Sequence, residues 1–86
     1  MSTETVGERV LAYNPTSLDT IHVFGYGTYD GDLTGGPLGD IPNPRITLDN
    51  GKIIWSCQCW WGPEDEVKED LNEAKAEGYQ FTGENF

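Results

Sequence analysis

The sequence predicts an α+β domain: a small antiparallel β-sheet in the order β-β-β-α-β, with one C-terminal amphipathic helix on one face. Three observations predict it. Asn50-Gly51 lies between two apolar segments, which is typical of a β-hairpin. Residues 63–78 carry apolar side chains at helical spacing. The chain has 86 residues, the length of a single domain.

The N-terminal quarter is polar and weakly patterned. Residues 1–20 are predicted to be flexible or to supply an edge strand at Val10, Leu11 and Tyr13. Residues 21–29 are rich in β-branched and aromatic side chains, which favour a strand.

The segment after this strand is predicted to be a long loop. Residues 30–44 contain four glycines and three prolines, too many for regular structure. Loops of about fifteen residues in a small domain are usually functional or mobile.

The hairpin around Asn50-Gly51 is the clearest local prediction. A two-residue turn would pair Leu48 with Ile53 and Ile46 with Trp55. It would also set Asp49 opposite Lys52, where they would form a cross-strand ion pair. One face of residues 45–61 would then be largely apolar and the other largely polar, which supports this register. The apolar face carries Ile46, Leu48, Ile53, Trp55, Cys57, Cys59 and Trp61, whereas Ile54 and Trp60 lie on the opposite face.

A helix is predicted over Pro63–Gly78, followed by a last short strand at residues 79–82. Proline suits the first helical position, and glycine suits a left-handed helix end. Val67, Leu71 and Ala74 form an apolar seam. The predicted core combines this seam with the hairpin: Ile46, Leu48, Ile53, Trp55, Cys57, Cys59, Trp61, Val67, Leu71 and Phe81.

One flank of this helix is strongly acidic. At about 100° per residue, five carboxylates form what we call the acidic stripe, and both helix lysines lie on the opposite flank. Like charges four residues apart destabilise a helix by roughly 0.2–0.5 kcal/mol per pair. The stripe is therefore either a well-solvated face or a surface for a basic partner. Its members are Glu66, Glu69, Asp70, Glu73 and Glu77.

Composition limits the classes of binding partner and the cellular compartment that we expect for this protein. The net charge is −10, which argues against direct binding to nucleic acid or to an anionic membrane. It favours a basic protein partner. No apolar run reaches the length of a membrane span, and the N-terminus lacks signal-peptide features. The two cysteines are expected to be reduced thiols in a cytosol. The sequence is compatible with a monomer or a homodimer.

Metal and enzyme chemistry have weaker support. Cys57, Cys59 and His22 provide at most three Cys/His ligands, whereas structural zinc takes four. A Cys–His nucleophilic pair would lack a visible orienting residue. We therefore predict no enzyme activity and no cofactor, and interpret the cysteines as small buried residues.

A resemblance to a known group lies in two segments, VFGYGTYDGD and IPNPRITLDNGKIIWSCQCWWGPEDEV. Here the chain resembles a group of small bacteriophage and prophage proteins. The resemblance implies a phage accessory protein in the cytoplasm of a bacterial host. It shifts the expectation toward non-enzymatic inhibitors of host machinery, including anti-defence proteins, and implies no site residues.

Two functional hypotheses follow. The first is an acidic inhibitor that mimics nucleic-acid charge and binds a basic host protein through the acidic stripe, with Asp30, Asp32 and Trp60 extending the contact. The second is a module for a nucleotide-like ligand, formed by Trp60, Tyr26 and residues 30–44, because exposed aromatic clusters often mark binding surfaces. A third, weaker alternative is a metal or redox protein at Cys57 and Cys59.

Overall fold

The computed structural model describes residues 5–86 and confirms the α+β class. These residues form a six-stranded, mostly antiparallel sheet and one helix, two strands more than predicted. The elements are β1 (Arg9–Pro15), β2 (Thr20–Leu33), β3 (Asn43–Leu48), β4 (Ile53–Trp55), a short 3-10 helix (Ser56–Gln58), β5 (Trp60–Pro63), α1 (Glu64–Ala76) and β6 (Gln80–Gly83).

The strands lie in the order β4-β3-β2-β1-β5, and β6 pairs in parallel with the start of β2. The first strand is therefore internal, between β2 and β5, and not at an edge as the sequence suggested. The long strand β2 changes neighbours along its length, from β6 to β3. Register shifts leave Phe24 and Asp30 without opposite partners, and such bulges bend a strand.

The sheet curls until its two ends share one core. Ile54 on β4 and Val10 on β1 belong to the same buried cluster, although their strands are far apart in the sheet order. Only a short 3-10 helix and Cys59 separate β4 from β5. The inner cluster comprises Val10, Ala12, Tyr29, Ile46, Leu48 and Ile54, with Phe24, Cys59 and Trp61 half-buried against it.

A second cluster joins the helix to the opposite face of β1 and β2. Val67 and Leu71 are buried there, which confirms the predicted helix seam. Since successive residues of a strand face opposite sides, β1 sends Leu11 to the helix and Val10 to the inner core. All three apolar residues at positions 10–12 are therefore completely buried.

The hairpin is present, but its predicted register was wrong by one residue. Ile46 lies opposite Ile54 instead of Trp55. The Leu48 N–H donates to the Lys52 carbonyl at 2.8 Å, so the turn contains three residues, with Gly51 at φ 87°. Glycine adopts this backbone conformation without steric cost. A one-residue slip exchanges the two faces of a strand, so Ile54 is buried and Ile53 is 52% exposed.

The predicted second hairpin strand is also interrupted. The Gln58 side chain accepts the Trp55 N–H at 3.1 Å, and the chain forms a 3-10 helix at Ser56–Gln58. It resumes as β5 beside β1. Predicted core residue Cys57 is consequently exposed, and four others are only half-buried: Trp55, Cys59, Trp61 and Phe81.

The predicted ion pair between Asp49 and Lys52 was wrong as well. Asp49 instead accepts two hydrogen bonds from the Arg9 guanidinium on β1, at 2.7 and 2.6 Å. Arg9 Nε also lies 3.6 Å from the Glu64 carboxylate in the first turn of α1. One arginine thus connects β1, the hairpin turn and the helix.

The helix begins after Pro63 and ends at a Schellman motif. The Tyr79 N–H donates to the Ala74 carbonyl at 3.0 Å and the Gly78 N–H to the Lys75 carbonyl at 3.1 Å. The chain then enters β6, where Phe81 contacts Phe86 with ring centroids 5.0 Å apart.

Candidate protein-interaction surface

The acidic stripe lies on the open side of α1. Burial of Val67 and Leu71 fixes the rotation of the helix, and all five stripe carboxylates are exposed. Within residues 5–86, none of them takes part in an ion pair. The stripe therefore presents its full negative charge to solvent.

The arginines of the chain do not neutralise this charge. Arg9 is bound to Asp49 and Glu64, and Arg45 Nε lies 2.9 Å from the Asp30 carboxylate. Hydrogen bonding between Arg9 and Asp49 raises the pKa of Arg9 and lowers the pKa of Asp49. Lys75 contacts the Phe86 ring, with its Nζ 5.2 Å from the ring centroid.

Trp60 lies on β5, the last strand on this side of the sheet and the strand that directly precedes α1. β5 pairs with β1 alone in the described chain, and Trp60 is 65% exposed. Trp60 is directly opposite Tyr13, so the two side chains point to the same face with Cβ atoms roughly 4.5–5.5 Å apart. Tyr13 packs in the cluster under the helix. We call Tyr13 and Trp60 the aromatic edge.

The aromatic edge adjoins the acidic stripe. Burial raises the pKa of Tyr13, and the negative charge of Asp70 raises it further. Tyr13 also packs in the cluster that contains Leu71, the residue that follows Asp70 in α1, so Tyr13 lies beside this part of the helix. Tyr13 is therefore a neighbour of both Trp60 and the part of α1 that carries Asp70, and we treat the aromatic edge and the acidic stripe as one candidate surface. The sequence predicted Trp60 and Asp70 as partner-binding residues. It did not indicate Tyr13 for this surface, because the pairing of β5 with β1 was not predicted.

Asp30 and Asp32, predicted to lie in the long loop, belong to β2 instead and have structural partners. Asp30 belongs to β2, where its carboxylate accepts hydrogen bonds from Arg45 Nε at 2.9 Å and Thr47 Oγ1 at 2.6 Å. Asp32 accepts the Tyr29 hydroxyl at 2.6 Å. These contacts anchor Asp30 to β3, whereas α1 packs on β1 and β5.

The cysteines and His22 do not assemble into one site. Asn43, which is buried, donates to Cys57 Sγ at 3.2 Å, and His22 bonds Thr82 at 3.0 Å. Burial, and secondarily the nearby Cys57, raises the pKa of Cys59 to about 11, which opposes a nucleophilic role. Across positions 5–86, no three His, Cys, Asp or Glu side chains cluster as metal ligands would.

The residues of the nucleotide-binding hypothesis are also separated. Trp60 borders an open cavity of about 490 Å³ that is lined by Asn14 and residues 56–61. Tyr26 borders other cavities, one of about 190 Å³ beside Asp49. The segment between β2 and β3 approaches the first cavity and not Tyr26. Gly36 lies so close to the Trp55 ring that a Cβ atom there would be 2.5 Å from it, and Asn43 bonds Cys57.

Comparisons with protein-family models, curated proteins and solved structures gave no match to this chain. In the part of the chain that the structure describes, no helix is long and apolar enough to cross a membrane.

Proposed function

We propose that this chain is a non-enzymatic inhibitor of phage type, which acts in the cytoplasm of a bacterial host by binding a basic surface of a host protein. The acidic stripe is the main contact and presents charge as a nucleic-acid backbone does. Proteins that hold phosphate backbones carry clustered lysine and arginine, and such a cluster is the surface that the stripe complements.

The observation that carries this proposal is the unpaired state of the stripe. Five exposed carboxylates lie on one flank without an ion pair inside residues 5–86, although like charges at this spacing destabilise the helix. The two arginines are held by Asp49, Glu64 and Asp30 at other places on the molecule. The raised pKa of Cys59 speaks against the alternative in which this thiol is a nucleophile.

Charge reversal tests the proposal. The triple variant Glu66→Lys, Asp70→Lys and Glu73→Lys should lose the host proteins that the tagged native chain captures from bacterial lysate, as read by mass spectrometry. These side chains are exposed, so the fold should survive, which thermal unfolding checks. Capture by the native chain should also weaken with added salt, because salt screens exposed charges. The Debye length falls from about 8 Å at physiological ionic strength to about 3 Å at 1 M salt.

A matched variant separates local contact from overall charge. Asp40→Lys, Asp65→Lys and Glu84→Lys also reverse three exposed acids, so each triple variant changes the net charge from −10 to −4 (three reversals of two charges each). Both sets include one residue of the first helical turn. This control should retain the captured proteins. Equal capture by the native chain and the stripe variant would contradict the proposal.

A further inference from the structure

The aromatic edge gives the candidate surface a chemical preference that charge alone does not. Trp60 is 65% exposed on an outer strand, which leaves its indole face open to a partner. Large exposed aromatic side chains are energetically favoured anchors in protein interfaces. No described strand pairs with the outer side of β5.

Negative charge lies next to this indole. Tyr13 is directly opposite Trp60. It also packs in the cluster that contains Leu71, the residue that follows Asp70 in α1. The negative charge of Asp70 also raises the pKa of Tyr13. Glu66 and Glu73 lie one helical turn to either side of Asp70 on the same flank. A cation placed over Trp60 would therefore meet an aromatic face and carboxylates together.

We infer that the aromatic edge binds an arginine side chain of the basic partner, with the guanidinium plane on the Trp60 indole and its N–H groups directed to Asp70. This inference rests on the proposed function and names the partner group that meets this part of the surface. Arginine fits better than lysine, because its planar guanidinium can stack on a ring while it donates in the plane to a carboxylate.

A pair of peptides tests this preference. A short arginine–glycine peptide and a lysine–glycine peptide of the same length and charge would be titrated against the native chain by calorimetry. The indole N–H resonances would be followed by NMR. The native chain should bind the arginine peptide more tightly, by up to roughly five-fold, because a whole exposed cation–π contact is the upper limit of the difference. The Trp60 resonance should shift.

Variants assign the preference to Trp60. Trp60→Ala should bind both peptides equally, whereas Trp60→Phe should keep part of the difference, since phenylalanine is a weaker cation–π partner. Tyr79→Ala is the control, because Tyr79 is 37% exposed but lies beyond the far end of the helix. It should leave the preference unchanged. Thermal unfolding of each variant verifies the fold.

Three results would overturn the inference: equal affinity of the native chain for both peptides, no binding of either, or an arginine preference that persists in Trp60→Ala. These failures differ from failure of the proposed function. If both peptides bind equally and the triple stripe variant loses them, the acidic contact remains and only the arginine preference is wrong. If the stripe variant still captures the host proteins, the proposed function itself is wrong.

Discussion

Arg9 connects three elements of this small fold: β1, the hairpin turn and α1. Its guanidinium holds the turn carboxylate of Asp49 at 2.6 Å and lies near Glu64 at the start of α1. Both partners of the first pair are substantially exposed, so its contribution to the free energy of unfolding should fall within about 0.2–1 kcal/mol. The main effect of this ion pair is to hold the hairpin turn against β1.

The Arg9–Asp49 pair makes stability depend on pH in a defined direction. The folded pKa of Asp49 lies below its ordinary value of 3.8 because it accepts hydrogen bonds from Arg9. Its stabilisation is therefore complete above the unfolded pKa and disappears as the pH falls through the folded pKa. Arg9→Gln should lower the urea midpoint at neutral pH, and the difference from the native chain should shrink at about pH 3.

Lys52→Gln provides the comparison for this experiment. It also removes one positive charge, from the hairpin instead of β1, but Lys52 forms no ion pair within the described residues. Its midpoint should differ little from that of the native chain. If the urea midpoint of Arg9→Gln stays below that of the native chain by the same amount from neutral pH to about pH 3, the ion pair is not the cause of the lost stability. The lost packing of the arginine stem would then explain it.

At the scale of elements, α1 depends on two buried side chains for its position. Leu71 is 2% exposed and packs with Leu11, Ile21 and Val23. Leu71→Ala should therefore decrease the free energy of unfolding by about 2–5 kcal/mol, as expected for a cavity in a packed core. Urea denaturation measures the loss. Asn72→Ala, at the exposed neighbouring position, should stay within about 0.5 kcal/mol of the native value.

Local patterns predicted elements well and their pairing less well. Helical spacing placed Val67 and Leu71 in the core, and Asn50-Gly51 placed the hairpin. The turn, however, uses Gly51 as the left-handed third residue, and that extra residue exchanges Ile53 for Ile54 in the core. Both turn lengths are compatible with the same short sequence, and the observed one packs Ile54 against Ile46 and Leu48.

At the scale of the whole molecule, sheet order could not be predicted from these local patterns. Gln58 ends β4 by accepting the Trp55 N–H, and the chain then pairs β5 with β1, which is distant in sequence. Nothing in the alternation of residues 52–61 marks that change of partner. The acidic stripe was predictable because it depends on one helix, whereas the aromatic edge depends on β5 meeting β1.

This distinction gives different kinetic roles to the two parts of the surface. Net charge and the acidic stripe act at a distance, so they should raise the association rate with a basic partner and make it sensitive to salt. Trp60 acts only on contact, so it should slow dissociation, as most short-range interface contacts do. Surface plasmon resonance with the immobilised arginine–glycine peptide measures both rates.

Trp60→Ala should increase the dissociation rate without changing the association rate, and the triple stripe variant should decrease the association rate. A Trp60→Ala variant that associates more slowly but dissociates at the native rate would contradict this division of roles.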